Sequence, residues 1–310
     1  MLLSVIVPAF NAGATIGATL GSINAAFANI DFEVEVVVVD DGSDDKDMLA
    51  AVIQGYSFVR LVGHESNRGM CAARNTGIKA SQGDFVTILD ADDEFVEGWP
   101  ERLLSIISEW PLDCQLCYSA CVNSNGSPTV SEPEYRGRLT YKDLLNERHS
   151  GEYLPVFRGN FVRSQLYQDL GLRKSCGIVS YLYFAKESDF WISPIVLRIY
   201  HDQRQGSVSS GWLTEKKARE TALCYEKLFQ EFGAEYRRHA PRIYHTKMLR
   251  YAVYRKVGNL SGIWRPCLQG FSIRAIPEFL VTAFILVMGE GVIRPLIIFA
   301  RRIGVLRKYG

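Results

Sequence analysis

The sequence predicts an α/β fold: a mixed, mainly parallel sheet flanked by helices, followed by a helical C-terminal extension. Three observations lead there. Short apolar runs alternate with segments of helical spacing through the first hundred residues, which is the pattern of right-handed βαβ units. The runs are apolar at consecutive positions, as burial on both faces of a parallel sheet requires. Two of them end abruptly in carboxylates, at Asp40-Asp41 and at Asp90-Ala91-Asp92-Asp93.

In order, Leu2 to Ala9 reads as a buried strand, Phe10 to Gly13 as a turn, and Thr15 to Phe27 as a helix through Ile16, Leu20 and Ile23. Glu33 to Val39 is a second strand, ending in Asp40-Asp41-Gly42-Ser43, and Lys46 to Tyr56 a second helix. Val59 to Val62 is a third strand. Asn67-Arg68-Gly69 opens a helix running to Lys79, and Gln82-Gly83 turns the chain into the strand Asp84 to Leu89. Trp99 to Trp110 is helical, Cys114 to Cys121 a strand, residues 123–128 a turn of hairpin type, and Leu139 to Arg148 a short helix. Residues 151–180 mix aromatic and basic groups, among them Tyr153, Phe157, Arg158, Arg163 and Arg173; a sugar-binding surface and an ordinary aromatic core fit that mixture equally.

Ligands of open α/β sheets bind beyond the carboxyl ends of the strands. Residues 8–11, Asp40-Asp41 and Asp90 to Asp93 all lie at such ends and should converge on one crevice. So much negative charge calls for a cation, and hard oxygen ligands on a short turn suit Mg²⁺ or Mn²⁺ together with substrate phosphates. No Gly-rich phosphate loop is present, which disfavours a dinucleotide-dependent dehydrogenase or a P-loop enzyme. With 35 Lys and Arg against 34 Asp and Glu, net charge gives no sign of a nucleic-acid partner. Seven cysteines with no paired framework, and an N-terminus that enters a strand with no basic leader, lead to the expectation of a reducing, cytoplasmic setting. Cys114, Cys117 and Cys121 read as small core residues rather than a metal knuckle, since no zinc-like second pair follows.

The motifs Val5-Ile6-Val7-Pro8-Ala9-Phe10-Asn11, Val39-Asp40-Asp41-Gly42-Ser43, Asn67-Arg68-Gly69 with Ala73-Arg74-Asn75-Thr76-Gly77, and Leu89-Asp90-Ala91-Asp92-Asp93 together resemble those of the inverting family 2 glycosyltransferases. The resemblance implies the GT-A (Rossmann-like) fold, with residues 1–98 as the nucleotide-sugar half, 99–212 as the acceptor half of the same domain, and 213–310 as a helical extension. It implies that Pro8, Ala9 and Phe10 line the nucleoside slot and that Asp41 accepts a hydrogen bond from the base. Arg74 is expected near the diphosphate, Asp90 near the ribose or a metal-bound water, and Asp92 as the ligand of Mn²⁺ or Mg²⁺. Asp93 reads as the cap of the following helix. Arg204, in the segment before Gly206-Ser207, takes the place of the family's phosphate-closing cation.

In this family an acidic pair precedes by three residues an apolar position that opens a helix, and its last acid is the general base. Aligning on Phe190-Trp191 gives Glu187 that role, with Lys186 in place of the first acid and Asp189 in reserve. The resemblance therefore implies a metal-dependent inverting transfer from a nucleoside diphosphate sugar, expected to be a UDP-sugar, to a saccharide or lipid-linked glycan acceptor of a bacterial surface polysaccharide. The rival readings are a nucleotidyl- or phosphoryl-transfer enzyme and a non-catalytic scaffold of the same fold.

The C-terminal forty residues differ in kind. Phe279 to Met288 is apolar, Gly289-Glu290-Gly291 interrupts it, Val292 to Ala300 resumes it with Arg294 and Pro295, and a basic segment follows from Arg301 to Lys308. Neither apolar piece reaches the ~20 residues that a membrane span needs. The expectation is a peripheral anchor on the inner leaflet at the cytoplasmic face, or else a homodimer formed through these helices.

Overall fold

A computed structural model describes residues 1–25, 30–173, 176–201, 214–273 and 276–288. The chain forms two compact units, residues 1–204 and 205–310.

The first unit begins with β1 (Leu2–Ala9), α1 (Ile16–Asn24), β2 (Glu33–Asp40), α2 (Lys46–Ile53), β3 (Val59–Gly63), α3 (Met70–Ala80) and β4 (Phe85–Ile88). It continues through β5 (Glu94–Phe95), α4 (Trp99–Glu109), β6 (Leu116–Asn123), β7 (Gly137–Leu139), α5 (Tyr141–Leu145), β8 (Leu154–Arg158), α6 (Gly159–Ser164), α7 (Gly177–Glu187) and β9 (Phe190–Tyr200). One nine-stranded sheet runs in the order β3-β2-β1-β4-β8-β6-β9-β5, with β7 paired to β9. The pairs β3-β2, β2-β1 and β1-β4 are parallel; β8 runs antiparallel to both β4 and β6, and β9 parallel to β6.

The two-residue period of the strands divides the core between the faces of this sheet. Leu3, Val5, Val7, Val36 and Val38 pack with Ile16, Leu20, Leu49, Trp99 and Ile106 of α1, α2 and α4. Ile6, Val37 and Val39 point the other way, to Cys71, Ile78, Val162 and Phe184 of α3, α6 and α7. Helix α3 lies so close to the sheet that a Cβ on Gly77 would come within 2.2 Å of the Ile6 side chain.

The aromatic and basic mixture after residue 151 is mostly structural. Phe157 and Tyr167 are buried and pack edge-on with each other and with Phe184. Arg158 donates to the carbonyls of Cys114 and Pro111 and lies over Trp110, while Arg163 donates to Gly83 O. Cys114, Cys117 and Cys121 are buried free thiols. The turn at residues 123–128 is present, with Val122 bridged to Pro128. The sequence reading of Leu139 to Arg148 as one helix gives way to the end of β7 and the short α5, which Thr140 and Asp143 open with a reciprocal capping box.

The second unit holds α8 (Glu215–His239), α9 (Pro241–Val257), α10 (Trp264–Gln269) and α11 (Ile276–Val287). Tyr225 and Phe229 of α8 pack their rings against Tyr251 of α9, and Leu249, Ala252, Cys267 and Leu286 form a small core among α9, α10 and α11. Among the described residues no helix is long and apolar enough to cross a membrane.

One buried ion pair ties the two halves of the sheet together. Asp93, just beyond β4, is 1% exposed, and its Oδ2 lies 3.2 Å from Nη1 of Arg198 on β9, itself 4% exposed. Asp93 Oδ1 also accepts from the backbone N of His201 at 3.0 Å. Gly98 stands at the start of α4, so Asp93 does not cap that helix as the sequence suggested. Removing one partner of such a pair strands the other charge in the interior, a loss of about 3–5 kcal/mol. Arg198→Ala should therefore lower unfolding stability in urea by about that amount, whereas the double variant Asp93→Asn/Arg198→Met should recover part of it. A loss below ~1 kcal/mol for Arg198→Ala would mean the pair is not what holds the two halves in register.

Candidate active site

The parallel strands β1, β2 and β4 all deliver their carboxyl ends to one edge of the sheet, in register. Ala9 pairs with Asp40 across β1 and β2, and Ile6 pairs with Ile88 across β1 and β4. Beyond that edge the loops are stitched together. Asn11, at a left-handed φ of 52°, takes Ser43 Oγ on its backbone N at 3.0 Å and exchanges side-chain and backbone bonds with Asp44. Thr15 Oγ1 donates to Ala91 O at 2.7 Å, which fixes the acidic turn against the start of α1. Phe10 is held open at the strand end, 41% exposed, beside the half-buried Pro8 and the buried Ala9.

Asp41 lies at this edge but turns inward. It is 3% exposed and accepts from the backbone N of Arg68 at 2.9 Å and of Gly69 at 2.8 Å, with His64 Nδ1 at 2.6 Å. Those bonds shape the turn that opens α3, where Gly69 has φ 95° and a Cβ would strike Leu172 O. His64 extends the network to Thr76 Oγ1 at 2.8 Å. Among the described residues, the carboxylate of the half-buried neighbour Asp40 accepts a local bond from Ser43 N at 2.9 Å. It therefore presents a carboxylate to the edge that Asp41, enclosed by its own loop, does not.

The acidic turn is tight, with Asp93 N bonded to Asp90 O at 3.0 Å. Arg74 on α3 reaches Asp90 Oδ1 at 3.2 Å while its guanidinium lies over the Tyr167 ring. Burial raises the Asp93 carboxyl, and with Arg198 opposing and Asp90 and Asp92 adding to the rise it stands at about 7. Asp90 and Asp92 are both half-buried on the turn. Among the described residues no three His, Cys, Asp or Glu side chains are grouped as a complete metal cage. Mg²⁺ and Mn²⁺ do not need one, since one or two carboxylates plus phosphate oxygens and waters suffice. With Asp93 committed to Arg198, the remaining donors are hard oxygens next to cationic Arg74, a set that fits a single divalent ion shared with a diphosphate.

Antiparallel β8 and the parallel pair β6-β9 bring a second set of groups to the same edge. Tyr118 stacks on Tyr153 there, with ring centroids 5.1 Å apart, and meets Tyr181 edge-on. Glu152, two residues before β8, has a side chain 49% exposed, and its Oε2 lies 3.9 Å from Nη2 of Arg198. Glu152 and Asp90 thus act on the same buried guanidinium, and both bear electrostatically on Tyr181 and Tyr200.

Glu187 and Asp189 are not part of this arrangement. Leu116 pairs with both Phe157 and Phe190, and Phe85 pairs with Arg158, so the start of β9 lies at the edge where β4 begins, opposite the acidic turn. Glu187 is the last residue of α7 rather than a residue before a helix, and it is exposed. Asp189 sits 3.8 Å from Arg138, which also pairs with Asp113 at that far edge. The sequence carried a warning: Phe190 to Tyr200 is rich in β-branched residues and opens a strand, so aligning it on a helix start displaced the motif. It is the start of α7, at Gly177, that faces the crevice edge, and its first turn has no acid. Arg204 lies outside the described residues.

Sequence reasoning also missed Arg198, Glu152 and His64. Arg198 had a legible signal, being a lone cation within an apolar strand and so in need of a buried partner. His64 and Glu152 had none.

Comparison with known proteins agrees with this architecture. An "Uncharacterized glycosyltransferase YibD" from Escherichia coli is 33% identical over 141 residues, which cover 44% of this chain and only 40% of that relative. A "GalNAc(5)-diNAcBac-PP-undecaprenol beta-1,3-glucosyltransferase" from Campylobacter jejuni is 26% identical over 310 residues, covering 95% of this chain and 96% of its own. The crystal structure of S. aureus TarS 1-349 in complex with UDP-GlcNAc superposes with a TM-score of 0.56 at 18% identity, over 97% of this chain and 88% of that one. At that identity the likeness bears on the fold, which is the GT-A arrangement. The family profile described as "Glycosyl transferase family 2" matches residues 4–171, more than half of the chain, and the chain belongs to that family.

Proposed function

We propose that the chain moves a sugar, with inversion, from a nucleoside diphosphate sugar to a hydroxyl of a lipid-linked glycan. The observation that carries this reading is the meeting of the β1, β2 and β4 ends, with Phe10, Asp40, Asp90, Asp92 and Arg74, at one edge of the sheet. Phe10 with Pro8 and Ala9 offers an open apolar seat for a base, and Asp40 takes over from Asp41 as the carboxylate that reads it. Arg74 and the acidic turn flank the diphosphate. Asp92, with Asp90 beside it, would hold Mn²⁺ or Mg²⁺, whose charge offsets that developing on the leaving diphosphate. The UDP-GlcNAc complex of TarS supports a UDP-sugar as donor, and the undecaprenol-linked substrate named for the Campylobacter jejuni relative supports a lipid-linked acceptor.

With Glu187 and Asp189 on the far edge, Glu152 is the half-exposed carboxylate of the acceptor side that the acidic turn does not use. In this reading Glu152 takes the proton of the acceptor hydroxyl as its oxygen bonds to the anomeric carbon. The carbon–oxygen bond to the diphosphate breaks, and the nucleoside diphosphate leaves with the electron pair. The aromatic cluster of Tyr118, Tyr153 and Tyr181 gives the sugar rings an apolar wall next to that carboxylate. A second reading, a donor-binding scaffold without transfer, is favoured by the missing acid in the first turn of α7.

Two measurements test these assignments. Calorimetry of UDP with and without Mn²⁺ should give metal-dependent binding to the native chain, reduced at least ~10-fold in Asp92→Ala. Metal-independent binding, or an unchanged Asp92→Ala, would remove the acidic turn from the site. Release of UDP from UDP-sugars in the presence of a lipid-linked acceptor should fall by roughly 10²–10⁴ in kcat for Glu152→Gln, with UDP affinity held within about threefold. Near-native turnover by Glu152→Gln would overturn its role as base. UDP binding with no turnover of any donor by the native chain would establish the scaffold.

A further inference from the structure

The second unit carries an apolar surface for which the transfer reaction has no use. Trp264, Leu268, Phe271, Ile273, Ile276 and Leu280 are between 41% and 81% exposed, and Val281, Phe284 and Val287 of α11 between 51% and 67%. Nine large apolar side chains thus stand open within one short stretch of two helices and their connection. On α11 the exposure is directional. Ile276, Leu280, Phe284 and Val287 recur at steps of four, four and three, one face of a helix, while Thr282, Ile285 and Leu286 are buried on the opposite side. That buried side packs, through Leu286, on Leu249 and Ala252 of α9 and Cys267 of α10. The helix is therefore anchored by one face and, among the described residues, leaves the other uncovered, and a patch of this extent calls for an occupant.

Charge identifies the occupant. From Tyr236 to Pro277 the sequence has nine Lys and Arg and no Asp or Glu, although Lys247 is buried, Arg255 pairs with Glu226 of α8, and Glu278 stands exposed in the first turn of α11. All of α9 and α10 fall in that interval, with Arg242 and Arg265 exposed and Arg265 next to the exposed Trp264. A second copy of this chain is a poor partner for such a surface, because a two-fold interface would set the exposed Arg242 and Arg265 against their own copies with Glu278 alone on these helices to offset them. Anionic lipid headgroups neutralise it, and acyl chains receive the apolar stripe. Trp is also the residue that settles at the boundary between the two. We infer that the exposed faces of α10 and α11 dock on an anionic lipid bilayer, with the apolar stripe below the headgroups and the exposed Arg242 and Arg265 at headgroup level. With no described helix long enough to span, this is attachment along a surface rather than insertion across it.

The inference stands apart from the transfer reaction and is tested without donor, acceptor or metal. The full chain is sedimented with vesicles of pure phosphatidylcholine and with vesicles containing one quarter phosphatidylglycerol. Binding to the anionic vesicles should be at least tenfold tighter than to the neutral ones, and should weaken as salt is raised. Leu280→Ser/Phe284→Ser, substitutions at exposed positions, should reduce it at least tenfold with the thermal unfolding midpoint unchanged. Should that variant misfold, Arg242→Glu/Arg265→Glu keeps the test open and should reduce anionic binding alone. Equal binding to both vesicle types, or no binding to either, overturns the inference. So does a dimer, seen by sedimentation equilibrium without vesicles, that Leu280→Ser/Phe284→Ser abolishes; the stripe would then belong to a second copy.

Discussion

The candidate site depends on the buried pairing of Asp93 with Arg198. A carboxylate one residue beyond Asp92 is taken out of water and neutralised by a guanidinium from the far half of the sheet. Without that neutralisation, Asp90, Asp92 and Asp93 would crowd three negative charges onto one turn. With it, the turn is held by a strand that also carries Arg198 toward Glu152. One side chain therefore links the part of the sheet built on β1, β2 and β4 to the part built on β6, β8 and β9.

A second constraint operates at the end of β2. Asp40 and Asp41 are adjacent, so the strand turns them to different surroundings. Asp41 is absorbed in ordering the segment from His64 to Gly69, which in turn starts α3 and delivers Arg74 to Asp90. Asp40 remains at the edge. The pair divides into a carboxylate that builds the loop and one left half-buried at the strand end, a division set by burial rather than by residue type.

Much of the first hundred residues was legible because their information is local. Runs such as Val36 to Val39 allow only a strand buried on both faces, and the strand–helix alternation fixes parallel pairing and the edge where ligands bind. The second half was harder to read, because β8 and β9 take their places by long-range pairing that no local pattern encodes. Phe190-Trp191 looks the same whether it opens a helix or a strand, and that ambiguity moved the expected base to the wrong edge of the sheet. Glu152 becomes visible only once β8 is seen beside β4. Likewise, Phe157 and Tyr167 read equally well as a binding surface or as core, and burial decides for the core.

The central claim is that the acidic turn and the ends of β1 and β2 form a single seat for a nucleoside diphosphate and its metal. A crystal structure of the chain grown with UDP and Mn²⁺, with anomalous scattering from the manganese, tests it most directly. The account predicts a manganese peak within coordination distance of Asp92, the diphosphate between it and Arg74, and the uracil against Phe10 within reach of Asp40. A nucleotide bound elsewhere on the sheet, or a manganese ion held away from the acidic turn, would contradict it.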